Sequence, residues 1–191
     1  WGAKASLDFN APGKWKIGDA SFKMYDPGFG FSLGGVYSHY FTDNFFVEPS
    51  LSIFYDTYSC DFTIMEEVGA EEVVPGIYKV GLRLPVVIGY TFDITDDFAI
   101  SVFTGPELNY AFAGGYRWKD KSLKQQLDDM RLFGSDDGMQ RRLSCSWKGG
   151  IGFPFSDWRV DIEAAVGLTD IIQGPASVRE NRFTVSLLRY F

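Results

Sequence analysis

Eight segments of this chain alternate between a large apolar side chain and a glycine, serine or charged residue, and this pairing of rows restricts the fold more than any other feature. In an extended strand successive side chains point to opposite faces, so a period of two predicts a strand in each segment. The apolar rows are Trp1, Ala3, Ala5, Leu7 and Phe9; Phe29, Phe31, Leu33, Tyr37 and Phe41; Phe45, Val47, Leu51, Ile53 and Tyr55; and Val80, Leu82, Leu84, Val86, Ile88, Tyr90 and Phe92. The remaining four are Phe98, Ile100, Val102, Leu108, Tyr110 and Phe112; Leu143, Cys145, Trp147, Ile151 and Phe153; Trp158, Val160, Ile162, Val166 and Leu168; and Phe183, Val185, Leu187 and Phe191. No apolar run approaches the roughly 20 residues a spanning helix needs.

The connections alternate in length. Those at 10–28, 59–76, 113–141 and 169–181 are long, and those at 42–44, 93–97 and 154–157 are short. Outer-membrane barrels have long extracellular loops and short periplasmic turns. The expected fold is therefore all-β: an eight-stranded antiparallel up-and-down transmembrane barrel, residues 1–191 forming one domain, with both termini periplasmic in a bacterial outer membrane. A strand starting at Trp1 fits a mature, processed chain.

Periodicity leaves the inner face open, since a soluble lipocalin-like barrel with an apolar lumen has the same period. The second row decides it. Gly30, Ser32, Gly34, Ser50, Ser52, Gly81, Gly89, Ser101, Gly105, Gly150, Gly152 and Gly167 fit a narrow filled lumen, whereas a solvated strand surface disfavours glycine. The same row holds Lys4, Lys79, Arg83, Arg142, Lys148, Arg159 and Arg182 against Asp8, Glu48, Asp56, Glu107, Asp161 and Glu163. Buried charge requires such a balance. The formal net charge of -7 then resides in loops. Glu48, Arg83, Glu107, Lys148, Arg159, Asp161 and Glu163 are the candidate luminal network, expected to plug and stiffen the barrel. Pro49, Pro85 and Pro106 each remove a ladder donor, so bulges are expected there. Arg189 falls on the apolar row near the periplasmic rim, where a long side chain reaches the headgroups.

Several stretches resemble the Bacteroidetes-type outer-membrane β-barrel domain family, the porin-like group that includes PorT-like proteins. They are Phe46-Val-Glu-Pro-Ser-Leu-Ser-Ile53, Val80 through Tyr90, Gly105-Pro-Glu-Leu-Asn-Tyr110, Gly149-Gly-Ile-Gly-Phe153, Ala165-Val-Gly-Leu-Thr-Asp170 and Asn181 through Phe191. Arg83 and Arg189 stand where that family usually has an acidic and an apolar residue. The resemblance implies a barrel and supplies no catalytic motif.

Outside the strands, Ser122-Leu-Lys-Gln125 is a capping box followed by Leu127 and Met130, with Gly134 as a stop. A short helix is expected in the third extracellular loop, its face of Leu123, Leu127 and Met130 either folded over the barrel mouth or docking a partner. Glu66, Glu67, Glu71 and Glu72 form an acidic loop that could hold divalent cations bridging lipopolysaccharide phosphates, although such runs are usually just solvated. Cys60 and Cys145 lie on non-neighbouring strands of different parity, which disfavours a bridge.

No metal cluster, nucleotide loop or nucleophile elbow is present, so neither cofactor nor metal is expected. The acidic balance argues against nucleic acid. The only histidine, His39, belongs to the apolar row beside a short turn, far from where a lipid-A-modifying hydrolase or acyltransferase would need its base. That enzyme and the soluble ligand-binding barrel are the alternatives. The favoured expectation is a non-enzymatic scaffold or interaction component of the envelope, a subunit of a larger assembly with other outer-membrane proteins. Its partners would be outer-membrane lipid, lipopolysaccharide and, through the row Phe183, Val185, Leu187 and Phe191, the barrel-assembly machinery.

Overall fold

In the computed structural model the eight segments are strands β1 (Gly2–Pro12), β2 (Gly28–Val36), β3 (Phe45–Cys60), β4 (Gly76–Thr95), β5 (Phe98–Arg117), β6 (Leu143–Phe155), β7 (Trp158–Gly167) and β8 (Glu180–Tyr190). The structure describes residues 1–60, 62–66, 69–73, 75–95, 98–117, 131–134 and 138–191, with side chains outside 61–74. Each strand pairs antiparallel with the next, and β8 returns to β1 from Gly2↔Tyr190 to Pro12↔Glu180. The sheet is thus a closed barrel of eight strands without an edge, and its ladder satisfies backbone groups that an open sheet would leave bare.

Sidedness follows from the pleat. Burial alternates along β1 from Gly2 to Asn10, with Asp8 buried and Leu7 outside. Leu7 and Phe29 are 71% exposed and Leu33 65%, while Glu107 and Asp161 are 2% and 0% exposed. Left in water, apolar side chains of this size would forfeit roughly 1.5–3 kcal/mol each, so the outer wall is built for hydrocarbon. The soluble barrel with an oily centre is excluded, because the oily rows point away from the axis.

Glycines on the inner row make room for the few large groups there. A Cβ at Gly89 would run into the Phe46 ring, and one at Gly81 would sit 2.6 Å from the Phe54 ring. Small opposite large is how a barrel of this size fills its interior.

The prolines do not produce the expected bulges. Pro49 lies opposite Val86, and the β4–β5 register is the same at Pro85↔Glu107 as at Ile88↔Thr104, which sets Val86 opposite Pro106 as well. Pro49 and Pro106 therefore flank Val86 on either side, and Pro85 is its neighbour in β4, so the three prolines lie within one residue of the same level on three adjacent strands. The β3–β4 ladder skips Leu84 and Pro85 and the β4–β5 ladder skips Val86 and Val87, and the register on either side of each gap is unchanged. The register shifts fall instead between Val80 and Gly81 and between Asp93 and Thr95.

The ends of the barrel differ. At the short-turn end the connections are brief, with His39–Tyr40 pairing back onto β3. At the long-loop end, described loop segments fold down over the lumen. Tyr25, Leu132, Phe133, Ile171, Ile172 and Val178 pack on Phe54, Tyr58 and Ile77 of the strands. The Gln140 side chain bonds both Tyr58 (2.9 Å) and Tyr25 (3.0 Å), and Gly13 N donates to Arg179 O at 2.8 Å. Three long loops are thereby stitched into one cap. The expected helix, with Leu123, Leu127 and Met130, lies outside the described residues. Of the acidic loop, Glu66, Glu71 and Glu72 fall on a hairpin pairing Phe62–Glu66 with Gly69–Val73, and Glu67 lies outside the described residues.

Candidate functional site

Inward parity brings together ionisable side chains far apart in sequence. The lowest group surrounds Arg159 on β7. Its guanidinium is bidentate to Glu48, with Nη2 to Oε1 at 2.6 Å and Nη1 to Oε2 at 3.1 Å, and its Nε donates to Asp161 Oδ1 at 2.7 Å. Glu48 also accepts from the Ser38 and Tyr190 hydroxyls. Arg159 stands over Phe46, Phe103 and Tyr190, its Cζ 5.6, 5.5 and 5.6 Å from their centroids. Phe46, Val87 and Phe103 form an apolar floor at the short-turn end.

Above it runs a continuous chain of alternating charge. Lys4 contacts Glu163, Glu163 meets Lys148 at 3.0 Å, and Lys148 Nζ lies 3.9 Å from Glu107. Glu107 takes two hydrogen bonds from Arg182 Nη2, at 2.6 and 2.8 Å. Arg182 then reaches Asp8 at 3.5 Å, Asp8 meets Arg83, and Arg83 ends on Asp56. These groups come from β1, β7, β6, β5, β8, β4 and β3, so one ionic thread crosses the lumen and ties seven strands. Thr184 and Ser186 donate to Asp8 and Glu163 at 2.6 and 3.1 Å. Each charge has a counter-charge on at least one side, the condition for ions in a low-dielectric interior. Near the cap a further pair, Lys79 with Glu180, closes the ladder. Arg83 lies 4.3 Å from the Phe54 centroid and Lys79 5.0 Å from that of Tyr58, so cations stack on rings where ionic and apolar layers meet. In the cap, burial pushes the Tyr25 phenol up, which keeps it a neutral hydrogen-bonding group for Gln140.

All seven candidate luminal residues, Glu48, Arg83, Glu107, Lys148, Arg159, Asp161 and Glu163, lie inside, in these two groups. Arg142 does not. It lies at the barrel mouth just before β6, is exposed, and is turned up to the cap, its Nη1 donating to Phe112 O at 2.7 Å and its Cζ 5.0 Å from the Phe133 centroid. The reading of the residues missed Glu180, two positions before Arg182 and hence of its parity. It also missed the inward Leu188 and the inward Phe46, Phe54, Val87 and Phe103, the last four of which their position opposite inner-row glycines would have signalled. Phe183, Val185, Leu187 and Phe191 are on the outer face. His39 is exposed, its ring edge-on to Phe41 at 4.9 Å. Cys60 is buried in the cap and Cys145 lies on β6, with no disulfide between them. Among the described residues, no group of three or more His, Cys, Asp or Glu could hold a metal ion.

No protein-family model and no curated protein matches this sequence. Solved structures do match in fold. The outer membrane protein OprG from Pseudomonas aeruginosa is 14% identical over 100% of this chain and 97% of its own, with a TM-score of 0.53. The outer membrane enzyme PagL is 13% identical, covering 98% and 99%, with a TM-score of 0.50. Neisserial surface protein A is 13% identical, covering 100% and 96%, again at 0.50. The chain has the fold of the small eight-stranded outer-membrane barrels.

Proposed function

We propose that this chain is a bacterial outer-membrane barrel acting as a non-enzymatic structural and interaction component of the envelope, akin to the Bacteroidetes-type barrels its strands resemble. In this reading both termini are periplasmic, the long loops face outward and carry recognition, and the outer-face row Phe183, Val185, Leu187 and Phe191 serves insertion by the assembly machinery. A place in a larger assembly with other outer-membrane proteins belongs to the same proposal. The observation that supports it is the ionic thread from Lys4 to Asp56. Its groups are engaged with one another between an apolar floor and a cap, leaving the charges as internal crosslinks instead of a solute path.

Reconstitution in planar bilayers tests the plug: insertion without conductance steps is the expected result, and stepwise solute-sized conductance overturns it. His39→Ala tests the non-enzymatic part. Unchanged lipid A in cells expressing the variant is expected, and a lipid A mass change that depends on His39 would refute it.

A further inference from the structure

The outer wall at the short-turn end departs from a smooth apolar belt. Register sets Arg189, Ala3, Gly35 and Leu51 side by side on β8, β1, β2 and β3, all facing outward. Beside them lies a shallow apolar groove, open to the outside, lined by Trp1, Gly35, Tyr37, Pro49, Leu51 and Leu84. A Cβ at Gly35 would meet nothing closer than the Gly2 carbonyl oxygen at 3.8 Å, so this is open space and not a packing requirement.

Arg189 stands at one end of this wall. Its Cζ lies 5.3 Å from the centroids of both Trp158 and Phe191, and the Phe191 ring is 4.8 Å from that of Trp1. Rings on both sides hold the guanidinium at the rim. Every luminal cation meets a carboxylate, yet among the described residues none lies within ion-pair distance of Arg189. An exposed cation on an apolar wall calls for an anion from outside the chain.

We infer that this wall holds one phospholipid of the leaflet at the short-turn end, its phosphate on Arg189 and one acyl chain in the groove beyond Trp1. The inference rests on the membrane reading above. A phospholipid carries an anion and an apolar chain in one molecule, which is the pairing the wall presents. An additional headgroup charge strengthens the contact, so anionic headgroups are preferred.

The test is native mass spectrometry of the detergent-folded protein with phosphatidylglycerol or phosphatidylcholine. Heat-modifiable gel mobility checks that each variant is folded, and co-sedimentation with vesicles tests the membrane reading separately. Phosphatidylglycerol is expected to be retained about fivefold better, the weight of one basic group at an anionic surface. Arg189→Ala should remove that preference, while Gly35→Phe, filling open space, should lower retention of both lipids. Variants that fold, insert and keep wild-type retention of both lipids overturn the site. So does Gly35→Phe changing the oligomeric state with lipid retention unaltered, which gives the groove to a second copy. Failure of the wild-type barrel to enter vesicles refutes the membrane reading first.

Discussion

The middle of the lumen and its cap are both buried, yet they are held by different means. The middle is a lattice of ions from seven strands, placed by backbone register. The cap is a cluster of apolar and aromatic side chains from loops, placed by contact. Ions in a dry interior tolerate no loss of a partner, whereas loop segments open locally without unfolding the barrel. The cap is therefore expected to open at lower free-energy cost than the centre.

The largest effect that separates the two comes from Arg83→Ala. It strips Asp56 of its ion pair and Asp8 of one, and an uncompensated buried charge costs about 3–5 kcal/mol. Urea unfolding of the lipid-reconstituted barrel should show a single transition at lower urea. A shift within the error of the wild type would mean that the thread contributes nothing to the centre.

Gly89→Ala probes the floor. The added methyl runs into the Phe46 ring, and overpacking of this kind costs roughly 1–3 kcal/mol. Adding Phe46→Leu should recover most of the loss, and additive destabilisation by the two changes would show that the ring and glycine are not complementary.

The smallest global effect belongs to the cap. Gln140→Leu leaves the Tyr25 and Tyr58 hydroxyls without their shared partner, a loss of roughly 1–3 kcal/mol confined to the loops. Limited proteolysis around 131–142 should accelerate while the urea midpoint of the barrel holds. A midpoint that falls as far as in Arg83→Ala would make cap and centre one cooperative unit.

The centre was legible because a strand's period is fixed at two. Once Asp8 or Glu163 is on the inner row, its neighbours' sides follow, and with eight antiparallel strands the charges have nowhere else to go. Phe46 and Phe103 were harder to assign, since an aromatic on the inner row looks like an error of parity until the glycines opposite are counted. Arg142 keeps the inner parity, with Ala111 N donating to its carbonyl, but at the barrel mouth its side chain meets the cap ring of Phe133 and not the ionic thread. The clustering of Pro49, Pro85 and Pro106 around Val86 depends on inter-strand register, which one strand's pattern does not contain. The cap was illegible for a related reason: Tyr25, Gln140 and Val178 meet through loops that carry no period at all.

Sidedness underlies all of this, and spin labels measure it directly. Single labels at Leu7, Leu33, Ile53 and Ile88, each compared with one at its inner-row neighbour Ser6, Ser32, Ser52 or Val87, would be read in lipid vesicles by collision with oxygen and with a polar nickel complex. Outer-row labels should collide with oxygen and be shielded from nickel, and inner-row labels should be shielded from both. Outer-row labels reached by nickel as readily as a label in water would contradict the placement of these rows in hydrocarbon.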